Sequence, residues 1–216
     1  MGFVITPSTS KSHAFIMSLY QFEARFFLCY TSRIEMKIAV LGGRFDPIHT
    51  GHVLIARQVL EFDPDINKVI FVPAYQHQWK PIVASPEDRV EMIRQVLEDK
   101  MEISEIELKR GGVSYTIDTI KDLKNKTKAK IYWIVGSDII SEFNRWEKSE
   151  ELVKEAVFLV FPRDPYKLPE NLPDGFVLVK SKSLQVTNFS STVIRQRIKD
   201  KKSIKYLVPI EVEEYI

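Results

Sequence analysis

The chain has 216 residues, 44% of them hydrophobic, which suffices for one sizeable core or one domain with a small subdomain; two compact domains would be tight. Thirty-one Lys and Arg against 29 Asp and Glu leave almost no net charge, so no overall field argues for nucleic acid or a membrane surface as partner. The single Cys29 excludes an intramolecular disulfide and a Cys-rich zinc site, and no stretch approaches the ~18 consecutive apolar residues of a spanning helix, so a soluble protein of the reducing cytoplasm is expected.

Residues 1–35 begin Ser/Thr-rich and end in Phe26-Phe27-Leu28-Cys29-Tyr30, with Glu23 and Arg25 interrupting any hydrophobic stretch of an export signal. The first clear strand opens only at Met36-Lys37. Residues 1–35 are therefore expected to be an extension outside the fold, with Met36 the true beginning of a domain over 36–216. A targeting leader is the alternative, although the segment is not Arg-rich and carries Glu23 and Glu35.

From there apolar runs recur at Lys37–Leu41, Lys68–Val72, Ile103–Leu108, Lys130–Val135, Val157–Phe161 and Phe176–Val179. Helix-like segments lie among them at Val53–Phe62, Glu87–Leu97, Tyr115–Leu123 and Ser149–Lys154. Strands alternating with helices predict a Rossmann-like, doubly wound α/β fold, a mainly parallel sheet with helices on both faces. Ligands of such sheets sit beyond the carboxyl ends of the strands, and each motif below follows a strand.

The first motif is Gly42-Gly43-Arg44-Phe45-Asp46-Pro47-Ile48-His49-Thr50-Gly51-His52, closing the first strand. Two glycines let backbone approach a ligand without Cβ interference. His49 and His52 stand at the start of the next helix, where free N–H groups and the macrodipole favour phosphate. The plain alternative is a capping His49 and a polar His52 on an amphipathic helix; the ordered Gly-Gly, Asp-Pro and His-x-Gly-His elements weigh against it.

Three later stretches also follow strands or open helices. Gly112 to Thr119, with Ser114, Tyr115 and Thr116, could be merely a turn and helix cap. Gly136-Ser137-Asp138 suits ribose hydroxyls, or is an ordinary turn with an Asp cap, and Trp146 is either core or a stacking platform for a planar ring. Ser190, Ser191 and Thr192 place three hydroxyls before an amphipathic helix carrying Arg195, a cradle for polyphosphate. Leu207 to Ile216 reads as a final helix entered through Pro209, Pro162 to Gly175 as a loop between two strands, and Lys199–Lys202 as a solvated helix end.

In this order the motifs resemble the bacterial nicotinate-mononucleotide adenylyltransferase family of the His-x-Gly-His nucleotidyltransferases, over nearly all of residues 36–216. The resemblance implies adenylyl transfer from ATP to nicotinate mononucleotide, giving nicotinate adenine dinucleotide and pyrophosphate in NAD biosynthesis. It assigns catalysis to His49, His52, Lys80 and Arg195, with the phosphates contacted by His49, His52 and Arg195. ATP binding would further involve Gly42, Gly43, Arg44, Phe45, Gly51, Gly136, Asp138, Ser190, Ser191 and Thr192, with Gly136 and Asp138 at the ribose. Ser114, Tyr115, Thr116 and Trp146 would form the acceptor side. Mg²⁺ would arrive with ATP, held by phosphates and water rather than by a dedicated protein metal site.

Three features depart from the family pattern: Arg44 stands for Thr, the loop Pro73 to Lys80 replaces a Pro-Pro-His-Lys ending with Lys80 matching but Trp79 before it not, and Glu147 stands for a second aromatic after Trp146. Competing expectations are an adenylyltransferase for nicotinamide mononucleotide or pantetheine phosphate, and a non-catalytic nucleotide sensor. A class I aminoacyl-tRNA synthetase fragment is disfavoured, since Lys180-Ser181-Lys182-Ser183 lacks the full signature. A homo-oligomer is left open.

Overall fold

A computed structural model describes residues 35–216, so the extension expected over 1–35 lies outside the described residues, Glu35 apart. Within them β1 (Lys37–Gly43), β2 (Ile66–Pro73), β3 (Met101–Ile103), β4 (Lys130–Gly136), β5 (Val157–Phe161) and β6 (Phe176–Leu178) form one sheet in the order β3-β2-β1-β4-β5-β6. Every strand pair is parallel. Parallel neighbours need crossovers, and much of the connecting chain is helical: α1 (Thr50–Phe62), α2 (Pro86–Arg94), α3 (Ile106–Arg110), α4 (Thr116–Thr127), α5 (Ser149–Glu155), α6 (Ser191–Lys199) and α7 (Ile210–Tyr215).

Side-chain alternation along β1 explains why both faces are covered. Ala39 and Leu41 join one core with Val53, Ala56 and Val59 of α1, Ile93 of α2, Ile194 of α6 and Val212 of α7. Ile38 and Val40 join the other, with Ile117, Ile120 and Leu123 of α4 and Leu152 of α5. Each such fully buried aliphatic side chain contributes on the order of 2 kcal/mol of transfer free energy.

The expected doubly wound sheet is thus present, with one local difference. The apolar run Ile103–Leu108 is not a single strand: β3 ends at Ile103, and α3 begins at Ile106. β3 is an edge strand whose register with β2 covers only Val69 to Phe71. Beyond it, Ile103 and Ile106 stand three apart, a helical spacing, and Lys109 and Gly111 donate N–H bonds to the carbonyls of Glu105 and Glu107.

The strand order reverses between β1 and β4, where chain leaving the carboxyl ends diverges and opens a crevice. Gly42 and Trp133 meet there. A Cβ on Gly42 would lie 2.5 Å from Trp133 Cζ2 and 2.9 Å from its Cη2, and the indole is 4% exposed. The space freed by this glycine is filled by the protein's own ring, so a side chain at this position would meet Trp133. Gly42→Ala is expected to destabilise by about 2 kcal/mol through overpacking. Thermal melting checks it; an unchanged midpoint would show that Trp133 yields freely.

Candidate active site

The loop from β1 to α1 is built around Phe45, whose φ of 48° lies in the left-handed region. Its ring is 1% exposed and packs edge-on against Phe71 at 5.7 Å and His52 at 5.0 Å. The Phe45 side chain is thus a core group that buttresses an imidazole.

His49 caps α1, and its backbone N–H donates to Nδ1 of His52 at 3.2 Å. The two rings stack at 3.6 Å with an interplanar angle of 17°. Because His52 Nδ1 accepts, the neutral ring carries its proton on Nε2, which leaves a donor for a ligand. Nδ1 of His49 is buried with no hydrogen-bond partner among the described residues.

Burial dominates the titration of both rings, and nearby positive charge adds to it. His49 is lowered to about 4, first by burial and then by the Arg163 charge. His52 is pushed well below its ordinary value by burial, then by His49 and Arg163. At neutral pH the pair is uncharged: two fixed N–H donors at a helix N-terminus, where anions are favoured.

The imidazoles stand in a cleft of about 300 Å³ at the carboxyl ends of β1 and β4. It brings together Gly42, Gly43, His49, Gly51 and His52 with Gly136 and Asp138, and with Ser114, Tyr115, Thr116 and Trp146. The Ser114 loop is docked onto the chain after β2: Ser114 Oγ accepts from Tyr75 N at 3.0 Å, and Ser114 N donates to Gln76 O at 3.0 Å. Trp146 faces the cleft while its ring packs against Phe143 at 5.7 Å. Trp146 therefore packs on the core and also borders the cleft.

Other expected residues lie outside the enclosed lining. Arg44 donates to Pro81 O at 3.0 Å, Lys80 is exposed, and Arg195 contacts Asp46 beside the first loop. The hydroxyl cradle is also corrected. Only Ser190 precedes α6; Ser191 donates to Pro47 O at 2.9 Å, and Thr192 Oγ1 accepts from Arg195 at 3.3 Å. Ser191 and Thr192 thus each already make one hydrogen bond within the protein. Gly136 has a structural reason too, since a Cβ there would collide with Oδ1 of Asp138.

Two residues of the cleft are not evident in the motifs. Arg163 follows β5, donates to Asp138 Oδ2 at 3.2 Å and to Phe189 O at 3.2 Å, and lowers both imidazoles. Its place just past a parallel strand is the signal that could have flagged it. Glu107 lines the cleft near Ser114 and Tyr115, accepts from Thr119 Oγ1 at 2.6 Å, and is raised above the ordinary carboxyl range by burial. It lies in the run read as a strand, which hid its direction.

A parallel sheet in the order 3-2-1-4-5-6 with paired imidazoles at its switch point defines a nucleotidyltransferase, and residues 40–197 match the cytidylyltransferase-like family. The probable nicotinate-nucleotide adenylyltransferase of Hydrogenobaculum sp. (strain Y04AAS1) is 40% identical over 184 residues, 84% of this chain and 95% of that protein. With such relatives, the chain belongs to the nicotinate-nucleotide adenylyltransferase family. The probable nicotinate-nucleotide adenylyltransferase of Caldicellulosiruptor bescii is 38% identical over 193 residues, 84% of this chain and 96% of that protein. Among solved structures, the Plasmodium falciparum nicotinic acid mononucleotide adenylyltransferase complexed with NaAD shares the fold, with a TM-score of 0.72 at 22% identity over 84% of this chain and 94% of that chain.

Proposed function

We propose that the chain transfers the adenylyl group of ATP to nicotinate mononucleotide, giving nicotinate adenine dinucleotide and pyrophosphate. The observation that carries this reading is the stacked, uncharged His49–His52 pair in a cleft whose far side carries Ser114, Tyr115, Thr116 and Trp146. One flank suits a triphosphate. The other offers the N-terminus of α4 for a carboxylate and an indole face for a planar ring.

An oxygen of the mononucleotide 5′-phosphate attacks the α-phosphorus; the new P–O bond forms as the bond to the β-phosphate bridge breaks, and pyrophosphate leaves. The acceptor is already anionic, so no protein nucleophile or general base is required. What remains is alignment and compensation of charge. His49 and His52 donate to phosphoryl oxygens, Arg195 and Lys80 offset charge on the leaving group, and Asp138 with Gly136 holds the ribose. Mg²⁺ entering on the triphosphate would neutralise part of its charge. Among the described residues no helix is long and apolar enough to cross a membrane, and a cytoplasmic enzyme is proposed.

Pyrophosphate release with ATP and Mg²⁺ tests the reading, with nicotinate mononucleotide, nicotinamide mononucleotide and pantetheine phosphate compared in parallel. Nicotinate mononucleotide is expected to give the highest kcat/KM. A different preferred acceptor would leave the transfer chemistry and overturn the acceptor assignment; binding of ATP without turnover of any acceptor would favour a nucleotide sensor.

A further inference from the structure

The β1–α1 loop carries a carboxylate that the transfer chemistry does not use. Asp46 is 2% exposed, and both of its oxygens accept backbone N–H groups from a distant segment: Val83 N at 2.8 Å on Oδ2 and Ala84 N at 3.0 Å on Oδ1. The same residue holds Arg195 in two ways. Arg195 Nη1 donates to the Asp46 carbonyl at 2.6 Å and lies 3.6 Å from Oδ2. Two residues earlier, Arg44 Nη1 donates to Pro81 O at 3.0 Å. Segment 81–84 is thus tied at three points to the loop that presents His49, and Lys80 stands directly before the first of them.

The charges gathered here explain why such tethering is needed. The Arg195 charge acts on Arg44, and those of Arg44 and Lys80 act on His77, so three cations share one rim. Left to themselves they repel, and two belong to segments 36 and 151 positions from Arg44 in the chain (80 − 44 and 195 − 44). A buried carboxylate satisfied by two N–H donors and one guanidinium is a rigid anchor for both segments.

We propose that Asp46, assisted by Arg44, is a positioning residue of the transfer, clamping segment 81–84 and the Arg195 guanidinium so that Lys80 and Arg195 converge on the triphosphate. This rests on the reading of Lys80 and Arg195 as phosphate-binding cations. Asp46 itself touches no substrate. A displacement of about 1 Å in such groups costs on the order of 10²-fold in rate, which sets the scale of the effect.

The test is a kinetic cycle on the full chain, read as single-turnover kcat/KM for ATP with thermal melts of every variant. Asp46→Asn keeps the shape but turns an amide N–H₂ toward donors and removes the counter-charge of Arg195. It is expected to lower kcat/KM by about 100-fold. In a Lys80→Ala/Arg195→Ala background the same substitution should cost less than about 3-fold, because its targets are already gone.

An undiminished factor in that background would show that Asp46 acts elsewhere and overturn the proposal. If Lys80→Ala and Arg195→Ala leave kcat/KM unchanged, it is the phosphate-end reading that fails, and the clamp falls with it. Should Asp46→Asn not fold, Arg44→Lys keeps a cation on the rim while losing the guanidinium bond to Pro81 O. That variant should lower kcat/KM by about 5-fold alone and have no effect on top of Lys80→Ala; a factor that multiplies with Lys80→Ala overturns the clamp.

Discussion

His52→Ala is expected to fold normally and to lower kcat for pyrophosphate release by about 10³-fold, the scale of removing one preorganised donor to a developing oxyanion. Loss of the ring removes an edge contact with Phe45 and the stacking on His49. A further structural loss is the bond from the His49 N–H to Nδ1, a cap interaction of about 1 kcal/mol. Its catalytic loss is larger because the Nε2 proton is held in place by that same bond and by the stacked His49 ring, so nothing need reorganise when charge moves onto the phosphates. His52→Gln separates the two effects: a glutamine three residues past the cap can reach back to the His49 N–H, restoring the melting temperature while kcat stays at least about 10-fold down. Near-normal turnover in His52→Ala would remove His52 from the transfer.

What could be read from the chain depended on whether a residue's partner was local. The β1 run, the glycine pair and His49-Thr50-Gly51-His52 sit within sixteen residues (37–52), and their joint geometry follows from one strand meeting one helix. The loop docking Ser114 beside the β2 exit was legible only as a turn, because its hydrogen bonds run to Tyr75 and Gln76. Gly42 was legible as a glycine that must stay small, but not why, since Trp133 lies across the switch point on a different strand. That the Phe45 ring turns into the core was not legible either, because its partner Phe71 lies on a different strand. Hydroxyls before a helix suggest anion binding only if they are free, and Ser191 is taken by Pro47 from far along the chain. Ile103–Leu108 shows the limit of short apolar runs, where a three-residue strand and a short helix share one stretch.

Stability should fall steeply as pH drops from about 6.5 towards 4, and the imidazole pair is the reason. The ordinary histidine value is 6.5, while His49 is lowered to about 4 in the fold and His52 is lowered as well. Between those values the unfolded chain binds protons that the folded chain refuses, so unfolding is favoured as pH falls; above about 6.5 neither state is protonated and the contribution is flat. For His49 alone the full difference is about 3 kcal/mol, with each pKa unit equal to about 1.4 kcal/mol. His52 acts with the same sign. Chemical denaturation at pH 7 and pH 5 measures this, with His49→Gln/His52→Gln as reference to remove the carboxylates' share. The unsubstituted chain should lose at least about 2 kcal/mol more than the reference over that interval, the share of His49 alone. Equal losses would mean that the imidazoles are solvated in the free protein. A bound triphosphate should act against this linkage, because its negative charge opposes the burial and the Arg163 charge that lower both rings. Nucleotide binding near pH 6 is then accompanied by proton uptake, visible as a binding enthalpy that changes with the ionisation enthalpy of the buffer.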